Sequence, residues 1–165
     1  MIIYEDILRA FQKQKVKYVL VGGIAVNLLG SLRSTADMDI LVEMNDDNLA
    51  KVVTILKNKG YSVKQPVDPI GLADRKTRED WIKNKHMKAF NFYRDDGIQE
   101  VDIIIDTPVT FEEANNDALR IKSGDIIIPV ISIDKLIKMK RNTGRNIDKL
   151  DIEELNKIKK LRKRR

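Results

Sequence analysis

Apolar positions along this chain fall into two patterns, a helical period and short β-branched runs. Residues 4–15 carry Ile7, Leu8 and Phe11 at helical spacing, which predicts an amphipathic opening helix. Tyr18-Val19-Leu20-Val21 is an apolar run stopped by Gly22-Gly23, hence a buried strand. Residues 24–29 then read as a short helix ending at Gly30, and 38–42 as a second buried strand. The polar Asn45-Asp46-Asp47 cluster caps a helix over 48–58. Gly60 ends that helix and Tyr61-Ser62-Val63 forms a brief edge strand.

From 64 to 85 the periodicity dissolves among prolines, a glycine and many charges. This predicts a long excursion with one helical turn around 78–82, and loops of that length are functional or mobile. Residues 87–93 and 98–105 are two strands joined at Asp95-Asp96-Gly97, a strong hairpin signal. Residues 119–121 and 126–128 flank Ser123-Gly124-Asp125 as a second hairpin. Residues 132–142 and 147–161 close the chain as two helices, with Ser132 the N-cap of the first. The fold class is α/β (α+β): early helical connections ask for crossovers and the hairpins do not, so the central sheet is mixed. The expected division is a core over 1–131 and C-terminal helices with a basic tail over 132–165, forming one compact unit.

A length of 165 residues with 42% hydrophobic and 34% charged content suits one folded domain. No apolar run approaches the roughly 18 residues of a membrane helix. The start, Met1-Ile2-Ile3-Tyr4-Glu5-Asp6, lacks the basic and apolar regions of a secretory signal. Zero Cys excludes disulfides and thiolate zinc sites. A cytoplasmic protein without a membrane partner is the expectation. The net charge of +6 is a property of the end of the chain: Lys157 to Arg165 holds seven Lys or Arg and no acid, and the remainder is near neutral. That tail is either a solvated, frayed helix end or an electrostatic arm for a phosphate backbone.

Asp37 and Asp39 stand at i and i+2 where a strand begins, so their carboxylates share one face. Two like charges so close suit a divalent cation with hard oxygen ligands, Mg²⁺ or Mn²⁺. Among 17 Asp such a pair also arises by chance, so the context decides. Gly22-Gly23 closes a strand and opens a helix, leaving backbone N–H groups free for an anion, although a plain turn has the same sequence. It is neither a dinucleotide fingerprint nor a Walker loop. Asp102, between Val101 and Ile103, is costly to bury without a partner or metal, and Glu100 and Asp106 share its face.

A strand ending in Gly-Gly, a spacer over 24–36, Asp37-Met38-Asp39 and a later Asp102 together resemble the DNA polymerase β-type nucleotidyltransferase superfamily. Arg33-Ser34-Thr35-Ala36-Asp37-Met38-Asp39 is similar to its minimal prokaryotic branch, which includes toxins of abortive-infection toxin–antitoxin systems. Lys135-Leu136-Ile137-Lys138 and Gly144-Arg145-Asn146-Ile147-Asp148 are similar to that branch's closing helices. The resemblance implies a nucleotidyltransferase fold and transfer of an NMP from an NTP to a hydroxyl with release of pyrophosphate. It implies that Asp37, Asp39 and Asp102 ligate two Mg²⁺ or Mn²⁺ ions with bound NTP, Asp102 also helping to take the acceptor's proton. Gly22 and Gly23 would hold the triphosphate, joined by Arg33 and Thr35, unless these are a solvent-facing Arg and a capping Thr.

Lys138, Arg141 and Arg145 fall on one face of a helix that stays regular to Gly144. Lys138 and Arg145 would then neutralise phosphate charge, with Asp148 orienting Arg145; an ordinary charged helix surface is the other reading. His86 has no Ser or Cys partner pattern and reads as a surface or hairpin residue. Arg75, Lys76, Arg78, Trp81, Lys83, Lys85 and Lys88 interleave charge with an aromatic, either as an acceptor-binding segment or as a solvated loop. The partners implied are an NTP, an RNA, protein or small-molecule acceptor, and a cognate antitoxin or a second subunit. The rival reading is a catalytically inert member of the same fold that binds nucleic acid or a partner protein. Retention of all three Asp argues against it, because clustered carboxylates without a metal destabilise a fold.

Overall fold

The computed structural model describes residues 3–165; Met1 and Ile2, read above for a leader, lie outside the described residues. The two apolar runs expected to be buried form the middle of the sheet, β1 (Tyr18–Val21) and β2 (Met38–Val42), each covered on both faces. With β3 (Tyr61–Val63), β4 (Ala89–Arg94), β5 (Glu100–Ile104), β6 (Leu119–Ser123) and β7 (Ile126–Val130) they make a seven-stranded sheet in the order β3-β4-β5-β2-β1-β7-β6. The sheet is mixed: β2 runs parallel to β5 and β1 to β7, and the other neighbours are antiparallel. Both hairpins stand where their turn residues put them.

The pairing of β1 with β2 departs from a crossover. They are joined through α2 (Gly22–Leu29) yet run antiparallel, with Val21 opposite Asp39. The irregular segment 30–37 carries the chain back to the end of the sheet that it left, so β2 begins beside the point where β1 stops. That return brings the glycine turn and the acid pair together.

The opening helix α1 (Glu5–Lys13) buries Ile7, Leu8 and Phe11, as its period requires. In α3 (Asp46–Asn58) the Asn45 side chain accepts the Asn48 N–H at 2.8 Å, the expected cap. Residues 64–85 are not a loose excursion. A 3-10 turn (Pro69–Ala73) and α4 (Arg75–Lys83) fold back and bury Leu72 and Trp81, the indole stacking on Phe90 with centroids 5.4 Å apart. Arg78 is buried as well, donating to the Leu72 carbonyl at 2.6 Å and to Asp46 at 3.1 Å. The aromatic and one cation of the supposed acceptor segment therefore serve the core. The charged outer face of α4 hid a helix that buries few side chains.

Two further elements differ from expectation. α5 (Phe111–Asn116) was not foreseen; its capping box links Thr110 and Glu113 reciprocally. α6 (Ile133–Lys140) stops at Lys140, because Arg141 turns to an extended ψ of 144°. Ser132 sits at the N-cap of α6 but its hydroxyl makes no cap hydrogen bond. α7 (Asn146–Lys163) incorporates most of the basic tail, where Arg162 donates to the Leu29 carbonyl at 3.0 Å. Among the described residues no helix is long and apolar enough to cross a membrane.

Candidate active site

The site grows from one row of residues across the sheet. Val21 on β1 faces Asp39 on β2, Asp39 faces Asp102 on β5, and Asp102 faces Asn91 on β4. Neighbouring strands lie about 4.8 Å apart, and residues in one row share a face, so Asp39 and Asp102 stand side by side. Asp37 precedes β2 by one residue and is exposed. All three line a cleft of about 670 Å³ with Gly22, Gly23, Arg33, Thr35, Lys88, Asp106, Lys140, Arg145 and Asp148. Among the described residues neither Asp37 nor Asp39 accepts a side-chain hydrogen bond, whereas Asp102 accepts one from Asn91 Nδ2 at 2.7 Å.

Crowding shows in their acidity. Burial, followed by the nearby Asp102 and Asp37 charges, pushes Asp39 up to about 7, and Lys140 and Arg145 only partly offset this. Burial raises Asp102 too, opposed by the Asn91 hydrogen bond. Among the described residues no three acids are gathered into a ready-made metal cage.

The glycines fit tightly under this row. Gly22 has φ +69°, and a Cβ there would fall 2.0 Å from Asp39 Oδ2. A Cβ on Gly23 would come within 2.6 Å of Thr35 Oγ1. Tyr4, fully buried on the flank of α1, ties down both acid-bearing strands. Its hydroxyl accepts from the Glu100 N–H at 3.1 Å and lies in donating range of the Glu100 carbonyl, at 2.9 Å, and of the Ala36 carbonyl.

Opposite the acids the cleft wall is cationic. Asp148 and Asp151, nearly fully buried on α7, hold three cations from three segments. Lys140 Nζ lies 3.1 Å from Asp148 and 2.9 Å from Asp151. Arg33 meets Asp151 at 2.5 Å, and Arg145 Nε meets Asp148 at 2.7 Å. Burial alone would raise Asp148, but donors from Thr143, Arg145 and Lys140 hold it below the usual carboxylate range. Three cations against two carboxylates leave a positive charge on this wall. Among the described residues Arg33 Nε is buried without a hydrogen-bond partner.

The structure therefore brings together Gly22, Gly23, Arg33, Thr35, Asp37, Asp39, Asp102, Arg145 and Asp148, and leaves out Lys138. Lys138 is exposed, and with α6 ended at Lys140 it shares no helix face with Arg145. Lys140 occupies the wall instead. The signal was present: Ile133, Ile137 and Lys140 fall at i, i+4 and i+7, so Lys140 belongs to the buried stripe. Of the 75–88 cations Lys88 lines the cleft.

Residues 4–156 match the sequence model of the aminoglycoside-2″-adenylyltransferase family. No curated protein sequence matches the chain. Among solved structures the fold is similar to that of the lincosamide antibiotic adenylyltransferase LnuA in its lincomycin-bound form. The TM-score there is 0.60 at 22% identity, over 92% of this chain and 93% of that one. It is also similar to ANT(2″)-Ia in complex with adenylyl-2″-tobramycin, with a TM-score of 0.59 at 13% identity over 97% and 92% of the two chains.

Proposed function

Because the chain belongs to the aminoglycoside-2″-adenylyltransferase family, and so to the polymerase β-type nucleotidyltransferases, we propose that it transfers the AMP of ATP to a hydroxyl of a small, polar, antibiotic-like acceptor and releases pyrophosphate. The observation that carries this reading is the row in which Asp39 and Asp102 stand side by side beneath Gly22, facing the cationic wall of α6 and α7. Neither the family nor the similar folds favour an RNA or protein acceptor, a toxin role or an antitoxin, so of the acceptors expected from the sequence the small molecule is the one retained.

The acid set fits divalent cations that arrive with a nucleotide. Mg²⁺ is commonly held by one or two carboxylates plus substrate phosphates rather than by an all-protein cage. Among the described residues Asp37 and Asp39 accept no side-chain hydrogen bond and they repel each other, and Asp102 lies within the same row as Asp39. These three residues would hold Mg²⁺ or Mn²⁺, which when bound supplies charge for the attacking and leaving oxygens. The free N–H groups where α2 begins, with Arg33, Lys140 and Arg145, bind the triphosphate oxygens. Thr35 adds a hydroxyl beside Gly23. Asp102 accepts the proton of the acceptor hydroxyl as its oxygen bonds to the α-phosphorus. The bond from that phosphorus to the bridging oxygen breaks, and pyrophosphate leaves against the cationic wall.

The experiment is label transfer. Protein, each α-labelled NTP in turn and Mg²⁺ are incubated with a panel of aminoglycosides and lincosamides, and separately with RNA and protein pools. The expected result is label from ATP on an antibiotic, lost in Asp39→Ala and Asp102→Asn. Transfer to RNA or protein alone would overturn the acceptor class, and transfer unchanged in both variants would overturn the site.

A further inference from the structure

Asp102 is held by a hydrogen-bond chain whose direction is chemically fixed, and that chain ends outside the cleft. The Asn91 backbone N–H donates to Gln65 Oε1 at 3.2 Å. A backbone N–H can only donate, so the Gln65 amide oxygen must face it and the Gln65 Nε2 must point the other way. Gln65 Nε2 donates to Asn91 Oδ1 at 2.7 Å, which turns Asn91 Nδ2 onto Asp102 Oδ1 at 2.7 Å. Neither amide can flip without placing a donor against a donor.

We propose that Asn91, locked by Gln65, is a positioning residue that commits one oxygen of Asp102 to the protein and presents the other to the acceptor side of the cleft. Asn91 is the next residue after Asp102 in the row Val21, Asp39, Asp102, Asn91, so its amide and the carboxylate lie on the same face of the sheet. Gln65 reaches it from the segment after β3, where Lys64 N–H also donates to the Asn91 carbonyl at 3.0 Å and extends the ladder. This gives the start of the 64–85 region a role at the site that its composition does not reveal. A carboxylate free to rotate would spend part of its time with neither oxygen aimed at the hydroxyl. Fixing it speeds the chemical step and leaves ATP binding alone.

The proposal rests on the functional reading above, and its test separates the two. Wild type, Asn91→Leu, Gln65→Ala and the double variant are compared for kcat and for KM of ATP with the antibiotic that wild type modifies. They are also titrated with Mn²⁺ in the presence of a non-hydrolysable ATP analogue, a readout that needs no acceptor. Asn91→Leu is expected to lower kcat and Mn²⁺ affinity by about 10- to 100-fold with KM for ATP within about twofold. Gln65→Ala, on a half-buried side chain that the fold can spare, should show a smaller loss of the same kind. The double variant should be no worse than Asn91→Leu, because the two residues act as one chain. Single variants that match wild type, or losses that add in the double variant, overturn the relay alone. A wild type that neither turns over nor binds Mn²⁺ with the analogue overturns the functional reading and the relay with it.

Discussion

Asp39 and Asp102 are direct partners on the parallel ladder between β2 and β5, although 63 positions separate them in the sequence. Two carboxylates so close repel each other, so their proximity costs the fold stability unless a cation lies between them. Asp39 is held near 7 against an ordinary value near 4. Between those values the folded protein keeps a proton that the unfolded chain has released, so stability is greatest below pH 4 for this group and is lost as pH rises through 7. In chelator, melting should fall by about 5 °C between pH 5 and pH 8 on account of Asp39, on the order of 2 kcal/mol after allowance for solvent in the cleft. Asp39→Asn should flatten that slope, and Mg²⁺ with ATP should reverse it for wild type, as calorimetry at the two pH values will read.

Lys140, not Lys138, is expected to govern nucleotide binding. Lys140→Met takes the shared cation from Asp148 and Asp151, and breaking a buried ion pair costs about 3–5 kcal/mol. Urea unfolding should register that loss, and KM for ATP should rise at least tenfold. Lys138→Met, at an exposed position, should leave both within experimental scatter of wild type.

Gly22→Ala tests the close approach at the turn. The added methyl meets Asp39 Oδ2 at 2.0 Å, and φ +69° costs an L-residue about 1–2 kcal/mol on its own. Turnover should drop by more than about 100-fold, since displacing a reacting group by 1 Å has that effect. Gly97→Ala, where a Cβ meets nothing within 4 Å, is the control and should be silent.

Tyr4→Phe keeps the buried ring and deletes the hydroxyl that joins the chain beside Asp37 to the chain beside Asp102. Leaving the Glu100 N–H unpaired costs about 1–3 kcal/mol. Because both acid-bearing segments loosen together, the Mg²⁺ concentration for half-maximal turnover should rise several-fold while KM for the acceptor stays put. An unchanged Mg²⁺ requirement would reduce Tyr4 to a packing residue.

The strands and the three acids could be read from the chain because each is signalled locally. Apolar runs stopped by glycine mark β1 and β2, Asp95-Asp96-Gly97 marks a hairpin, and period two alone puts Asp102 on a definite face. The cationic wall was harder, since it depends on where α6 ends. A helix continued to Gly144 aligns Lys138 with Arg145, and the break at Arg141 swaps Lys138 for Lys140. Nothing beyond the buried stripe of α6 announces that break. Residues 64–85 misled for another reason: α4 is stabilised by contacts with distant partners, Trp81 on Phe90 and Arg78 on Asp46, and its own composition is that of a loop. Gln65 and Asn91 carry no motif at all and become meaningful only once β4 lies beside β5.

The two buried carboxylates of α7 have a consequence for how the molecule breathes. Asp148 and Asp151 are counter-ions to Arg33, Lys140 and Arg145, so the last helix cannot peel away without leaving three cations crowded and uncompensated. Fraying from the C-terminus should therefore stop near Leu155, and amides earlier in α7 should exchange with solvent only when the whole domain opens. A bound polyphosphate gives the same cations a second set of counter-charges. Nucleotide occupancy and the exchange rate of a helix that carries none of the reacting groups are thus thermodynamically linked.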